Sequence, residues 1–197
     1  MVSAVIKDMQ VSSMNYEPYV LFLNGEYWGW YWLNEKYNAD YLEYYYNVGR
    51  DNVILIKNGG LEEGEEEDFQ YYEKMIEFCS QGDISNDDVY RKACELIDVE
   101  SCIDYYAVML YLGRHGDWPD SNYALWRVKK EENSPFGDGK WRWMIFDLNS
   151  AGFNFEIDPI EYVMDNDKVF SNLMTNGQFR TQLLKKIEEL TDTVFCF

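Results

Sequence analysis

Apolar residues crowd into two short runs near the start of the chain, YVLFL and EYWGWYWL, and only Asn24 and Gly25 separate them. This dipeptide predicts a β-hairpin, because a type I′ turn requires positive φ at both central positions. Gly29 inside the second run predicts a β-bulge or a close backbone approach. Farther on, the apolar run DNVILIK at 51–57 predicts a buried strand. The acidic stretch that follows it, GGLEEGEEED, predicts a solvated loop.

From residue 69 onward, apolar residues recur in several segments at spacings of three and four, which is typical of helices that bury one face. This spacing predicts a helix over 69–79 and an amphipathic helix over 179–190. Ser85 is positioned to cap a helix that runs to about residue 97. A further helix is predicted over 99–112, and Gly113 ends it.

Two strand patterns, NYALWRV and KWRWMIFDL, are joined by the polar linker KKEENSPFGDG. They predict a long hairpin with an extended tip, and Asp147 lies at the end of its second strand. By strand alternation, Trp141 and Trp143 share one face and Met144 lies on the other. Hairpins and helices that occupy separate parts of the chain predict an α+β fold.

The composition narrows the possible partners. The chain of 197 residues carries 36 acidic against 17 basic side chains, a formal net charge of −19. Such a surface repels phosphate backbones, so nucleic-acid and anionic membrane partners are disfavoured, while a basic protein or a bound cation is allowed. No apolar run is long enough for a transmembrane helix, and the start lacks the pattern of a signal peptide. Cys79, Cys94 and Cys102 fall in helical patterns and predict buried, unpaired thiols rather than a zinc site.

The stretch HGDWPDSN at 115–122 carries the chain's single histidine and the most concentrated polar chemistry. Antiparallel pairing of the following hairpin returns Asp147 toward Asn122, and Asp117 is five residues before Asn122. Two carboxylates and an amide are the groups that phosphoryl transfer uses to orient a nucleophile and to hold magnesium. Asx-turns around Pro119, with Asp147 at a strand end, explain the same residues equally well.

Three separated stretches resemble the spore coat protein H (CotH) kinase family, an atypical kinase-like group. They are YVLFLNGEYWGWYWLNEKYN, DYYAVMLYLGRHGDWPDSNYALWR and KWRWMIFDLNSAGF, in this order, and they extend from about Tyr19 to Phe153. The resemblance implies an atypical protein-kinase-like domain across 1–197 that uses ATP and Mg²⁺ to phosphorylate serine or threonine of a protein. It also implies a bacterial spore coat or a cell surface as the location.

The resemblance assigns roles to individual residues. Asp117 matches the catalytic aspartate, Asn122 and Asp147 match metal ligands, and His115 becomes a supporting residue of the loop. The family's W-D-x-D pattern is Phe146-Asp147-Leu148-Asn149 here. Asn149 therefore replaces the second acid, as a ligand that contributes no charge.

The nucleotide side of the expected site is less complete. Glu35 matches the family's glutamate after the hairpin, and Lys36 is a candidate cation for the phosphates. The family's preceding strand region with basic residues has no counterpart in the sequence, so the expected kinase domain is incomplete at its N-terminus. The resemblance divides it into a smaller β part over about 1–57 and a larger helical part over about 69–197 that holds the catalytic hairpin.

Three functions remain open from the sequence. The first is the Mg²⁺-ATP-dependent protein kinase, with a basic, serine-rich protein substrate that the acidic segment 62–68 could attract. The second is an inactive kinase-like interaction domain of a coat or cell-surface assembly. The third is a carbohydrate-binding module that uses the tryptophans. Trp28, Trp30 and Trp32 share a strand face by alternation, and exposure of such a face would favour the third function.

Overall fold

The computed structural model describes residues 6, 9–148, 151 and 156–193. The strands of this part are β1 (Ser12–Ser13), β2 (Tyr16–Leu23), β3 (Glu26–Asn34), β4 (Val53–Lys57), β5 (Gly60–Glu63), β6 (Tyr123–Val128) and β7 (Arg142–Ile145). The helices are α1 (Ala39–Tyr46), α2 (Phe69–Gln81), α3 (Asp87–Leu96), α4 (Val99–Tyr111), α5 (Pro159–Asn166), α6 (Lys168–Leu173) and α7 (Gly177–Thr193).

A five-stranded sheet in the order β1-β7-β6-β4-β5 forms the centre of the molecule. The predicted long hairpin is β6 and β7, in antiparallel register with Tyr123 opposite Ile145. One sheet face packs on the helices through Trp141 and Trp143, and the other packs under α1 through Met144. The alternation predicted for β7 is therefore confirmed, and the arrangement of helices and strands agrees with an α+β fold.

The predicted helices are present, with some different boundaries. Asn86, not Ser85, caps α3, and its side chain accepts a hydrogen bond from the Asp88 backbone N–H at 2.8 Å. Ser85 instead donates to the Asp83 carboxylate. Both residue types favour the cap position, so the sequence alone could not decide between neighbours. The short helices α1, α5 and α6 were not predicted, because so few turns give little periodicity to detect.

The acidic stretch is more ordered than expected. Asn58 and Gly59 have φ of 50° and 75° and form a second tight turn, which pairs β4 with β5. The prediction of a plain loop is wrong there, because Asn58-Gly59 between an apolar run and a short strand is itself a hairpin signal. Asp68 at the end of the stretch is buried and forms a 2.5 Å ion pair with Lys129.

The first hairpin, β2 and β3, forms a separate two-stranded ribbon, here called the aromatic ribbon. Its turn at Asn24–Gly25 and the irregularity at Gly29 are as predicted. Trp30 and Trp32 lie on one face, and they are 74% and 67% exposed. The tryptophans at 118, 126, 141 and 143, in contrast, are all buried.

The cysteines and the described helices agree with two further predictions from the sequence. Cys79 and Cys102 are buried, Cys94 is half-buried, and all three are unpaired, as predicted. Burial raises the pKa of the Cys79 thiol to about 12, so this thiol stays protonated and unreactive. None of the described helices has the length and apolar character needed to cross a membrane.

Candidate functional site

The loop after α4 is organised around the buried guanidinium of Arg114. Gly113 takes φ of 59° and ends the helix, which turns Arg114 inward. Its Nη2 atom lies 2.7 Å from Asp117 Oδ1 and donates to the Asp147 carbonyl at 3.0 Å. Its Nη1 atom donates to the His115 carbonyl at 3.2 Å. The planar fork of an arginine can hold several oxygens in fixed directions, so this side chain joins the loop to the segment after β7.

Asp117 and Asn122 are in direct contact. The Asn122 amide nitrogen donates to Asp117 Oδ2 at 2.6 Å, so the amide oxygen of Asn122 faces away from this carboxylate. Asn122 adopts φ of 59°, and its backbone N–H donates to the Asn58 side-chain oxygen at 2.8 Å. The turn of the β4–β5 hairpin therefore supports the residue that precedes β6. About half of the Asp117 side chain remains accessible to solvent.

Asp147 lies two residues beyond β7 and has φ of 45°. Its charge, together with burial as the larger cause, raises the pKa of Tyr16 at the base of the aromatic ribbon. The charge of Asp147 therefore acts on the base of the ribbon. Directly before it, the ring of Phe146 packs under the Lys57 ammonium, which is 4.2 Å from the ring centroid. A cation at the end of β4 thus lies beside the Asp147 segment.

His115 has a structural environment. Its Nδ1 atom lies 2.8 Å from the Gly113 carbonyl, which can only accept, so Nδ1 carries the proton. The imidazole packs edge-on against Tyr162 of α5, with ring centroids 6.3 Å apart. The Tyr162 hydroxyl donates to the Gly116 carbonyl at 3.0 Å and fixes the same loop. His115 is therefore hydrogen-bonded and partly buried, while Arg114 is the residue that contacts the Asp147 carbonyl.

The two residues expected at the nucleotide lie at the base of the aromatic ribbon. Glu35 accepts hydrogen bonds from the Asn15 backbone N–H at 2.8 Å and from the Tyr45 hydroxyl. These contacts attach the end of β3 to α1. Lys36 is exposed. Asn149 lies outside the described residues.

The donor atoms of this region are hard oxygens, the type that Mg²⁺ prefers. Among the described residues, no group of three or more His, Cys, Asp or Glu side chains could hold a metal ion by itself. Magnesium in nucleotide sites is usually bound by one or two carboxylates, with waters and substrate phosphates as the other ligands. The Asp147 carboxylate and the Asn122 amide oxygen are donor atoms of this type. The loop between Asp117 and Asn122 also contains a backbone turn, because the Asp117 carbonyl accepts from the Ser121 N–H at 3.0 Å.

The family model of the CotH kinase protein matches residues 1–196, which is essentially the whole chain. The chain belongs to the CotH kinase family. This membership supports a kinase-like function at the level of the family and implies the use of ATP. No curated protein matches the sequence.

Arg114, Lys57 and Asn58 are the residues of this CotH-family site that the sequence left out or undervalued. Arg114 forms a salt bridge with Asp117, and its guanidinium is fully buried. Nothing local in the sequence indicates the burial of an arginine. The Asn-Gly dipeptide at 58–59 was an available signal for the hairpin that supports Asn122.

Substitution of Asn58 should separate backbone strain from the side-chain contact. Asn58→Ala is expected to lower the free energy of unfolding by about 2 kcal/mol, because it loses the bond to Asn122 and places alanine at positive φ. Asn58→Gly tolerates the backbone and loses only the bond, so about 1 kcal/mol is expected. Urea unfolding of the wild type, Asn58→Ala and Asn58→Gly measures both differences in the free energy of unfolding. Equal losses of stability in the two variants would contradict a contribution from backbone strain.

Proposed function

We propose that this CotH-family domain is a Mg²⁺-ATP-dependent protein serine/threonine kinase. The observation that carries the proposal is the shared contact of Arg114, whose Nη2 atom bonds both the Asp117 carboxylate and the Asp147 carbonyl. Asp147, which is 30 residues beyond Asp117 in the chain, is thereby held beside Asp117 through its backbone carbonyl. Separation of these aspartates on opposite surfaces would have argued against phosphoryl transfer.

Asp117 is the proposed catalytic residue. Its carboxylate, oriented by Arg114 on one oxygen and by Asn122 on the other, would accept the hydrogen bond of the serine or threonine hydroxyl and direct its lone pair at the terminal phosphate. Both fixed bonds limit rotation of the carboxylate, so the acceptor direction is set before the substrate arrives.

Asp147 and Asn122 are the proposed metal-holding pair, with Asn149 as a further oxygen donor. Magnesium held there would neutralise charge on the phosphates during transfer. Lys57 beside Phe146 is a further candidate to contact phosphate oxygens. The roles proposed for Glu35 and Lys36 at the nucleotide depend on the family resemblance, and His115 supports the loop.

The proposed substrate is a basic, serine-rich protein. The chain's net charge of −19 would attract such a partner and increase the rate of encounter. A bacterial coat or cell-surface location is proposed from the family.

Two other functions keep specific support. Replacement of the family's second acid by Asn149 removes a charge at the metal, which favours an inactive interaction domain. Exposure of Trp30 and Trp32 favours carbohydrate binding. However, Tyr19 and Tyr31, which face each other on the opposite side of the aromatic ribbon, are also exposed, at 48% and 45%. Exposed aromatic side chains on both faces are equally typical of a protein interaction surface, so they do not single out a sugar ligand.

Calorimetric titration with ATP in the presence and absence of Mg²⁺ tests the kinase proposal. The wild-type protein is expected to bind ATP only with the metal, and Asp147→Ala is expected to weaken this binding at least tenfold, about 1.4 kcal/mol, by removing the metal's charged ligand. Asp165→Ala, an exposed aspartate on α5, is the matched control and should bind as the wild type does. No metal-dependent binding in the wild type would refute an active kinase and leave the interaction domain.

A further inference from the structure

A cavity of about 250 Å³ lies beside the loop that holds Asp117, between the sheet, α2, α4 and the start of α6. Its wall includes Trp118, Pro119 and Asp120, the three residues that directly follow Asp117. Six aromatic side chains line it: Tyr72, Tyr105, Tyr106, Trp118, Tyr123 and Trp143. Pockets for drug-sized ligands are roughly 300–1,000 Å³, so this cavity suits one side chain or a small ion better than a nucleotide.

Two carboxylates line the same cavity, Asp120 at the surface and Asp167 deeper. Asp167 caps α6: its Oδ1 accepts from the Val169 and Phe170 N–H groups at 2.9 and 3.0 Å. Its Oδ2 accepts from the Tyr106 hydroxyl at 2.7 Å. These bonds fix the carboxylate rigidly in the cavity wall.

The electrostatics of the cavity are those of a site that favours positive charge. Burial raises the pKa of Asp167, and the charge of Asp120 raises it further against the three hydrogen bonds that lower it. The carboxylates of Asp120 and Asp167 therefore act on one another at this cavity, and a cation between them would relieve their repulsion.

The aromatic walls add a second kind of attraction. The faces of tyrosine and tryptophan rings carry negative potential and attract ammonium and guanidinium groups, more strongly when water is excluded. Tyr72 and Tyr123 join their hydroxyls at 2.9 Å, and Trp118 donates its indole N–H to the Tyr105 hydroxyl at 2.8 Å. These bonds hold the rings in place without a ligand, so the cavity is preorganised.

We propose that this aromatic cavity binds an organic cation, an alkylammonium or guanidinium group, between Asp120, Asp167 and the surrounding rings. The group could be a free small cation or a lysine or arginine side chain of a polypeptide. In the second case the inference rests on the proposed kinase function, because the cavity adjoins Asp117 and would select a basic residue near the phosphorylated hydroxyl.

Lys168 is the basic side chain at the cavity, and it is exposed at the start of α6. Its positive charge opposes the binding of another cation. Removal of this charge should therefore strengthen binding, whereas removal of the Asp120 charge should weaken it. These opposite signs distinguish the cavity from a general attraction to the acidic surface.

Calorimetric titration without ATP or metal tests the inference. The probes are tetramethylammonium, arginine amide, and a serine-containing peptide with one arginine, compared with the same peptide carrying neutral citrulline. The arginine peptide or a small cation is expected to bind the wild type, and the citrulline peptide to bind at least tenfold more weakly, since it lacks the charge. Binding of the small cations alone assigns the site to free cations, and binding of the arginine peptide assigns it to a polypeptide.

Single-charge variants localise the binding. Asp120→Asn is expected to weaken the binding of the cationic probe by about two- to fivefold, and Lys168→Gln to strengthen it by a similar factor. Asp165→Asn, close in the chain but outside the cavity wall, should leave binding unchanged. Equal weakening by Asp120→Asn and Asp165→Asn, equal binding of the two peptides, or no binding of any probe would overturn the inference.

The kinase proposal and the cation-site proposal can be contradicted independently of each other. Cation binding is measured in the absence of nucleotide, so a protein that does not bind ATP can still support the cavity. A protein that binds Mg²⁺-ATP but none of the cationic probes would retain the kinase proposal and lose the cation site.

Discussion

Replacement of Asp117 by asparagine is expected to lower phosphoryl transfer to a serine-containing basic protein by about 10²–10⁴-fold. The amide cannot accept the proton of the attacking hydroxyl as a carboxylate does. It also removes the charge that Arg114 and Asn122 orient. Initial rates with radiolabelled ATP measure the effect at saturating nucleotide.

The reason for the loss can be separated from a loss of nucleotide binding. Asp117→Asn should bind Mg²⁺-ATP within a few-fold of the wild type, because the proposed metal pair is Asp147 with Asn122. Asp165→Asn, exposed on α5, is the control with the same change of charge and should keep full activity. If Asp117→Asn transferred phosphate at the wild-type rate, Asp117 would not be the catalytic aspartate.

Replacement of Arg114 by leucine is expected to lower the free energy of unfolding by about 3 kcal/mol. The guanidinium is fully buried, and its removal leaves the carbonyls of His115 and Asp147 without their charged donor. Loss of a charge-assisted hydrogen bond costs about 1.5–3 kcal/mol, and a buried acceptor left unpaired adds to this. Urea denaturation followed by tryptophan fluorescence gives the value.

Two further variants show whether the loss of stability comes from the planar guanidinium of Arg114 and from its burial. Arg114→Lys keeps the charge but not the planar fork, so it should lose part of the stability and still weaken Mg²⁺-ATP binding. Arg91→Leu removes an exposed arginine that pairs with Asp88 on α3, and a change below about 1 kcal/mol is expected. A stability of Arg114→Leu equal to that of the wild type would refute a joining role for this residue.

Arg114 also explains how the site can work as a unit. Its contacts attach the loop after α4 and the segment after β7 to the same planar guanidinium group. Asn58 supports the third segment, since its side chain holds the backbone of Asn122. Three separate stretches of the chain are thus joined by polar contacts, and a shift in one is expected to move the others.

The sequence by itself determined the local elements whose causes lie within a few residues. The Asn-Gly turn at 24–25 and the strand alternation over 141–145 depend on backbone preferences and side-chain period, which neighbouring residues carry. The first hairpin with Glu35 and the motifs around Asp117 and Asp147, taken in this order, were sufficient to predict the CotH family, and the family match confirms this prediction. Short α5 and α6 escaped prediction because a few residues carry too little pattern.

Only the tertiary structure decided which polar and aromatic residues are buried. Arg114 is buried where the carbonyl of Asp147, 33 residues away in the chain, meets the loop that follows α4, while Trp30 and Trp32 of the aromatic ribbon remain exposed. The cavity at Asp167 likewise requires α2, α4, α6 and the sheet together. Burial depends on contacts between residues far apart in the chain, whereas residue type and spacing report only what each segment favours on its own.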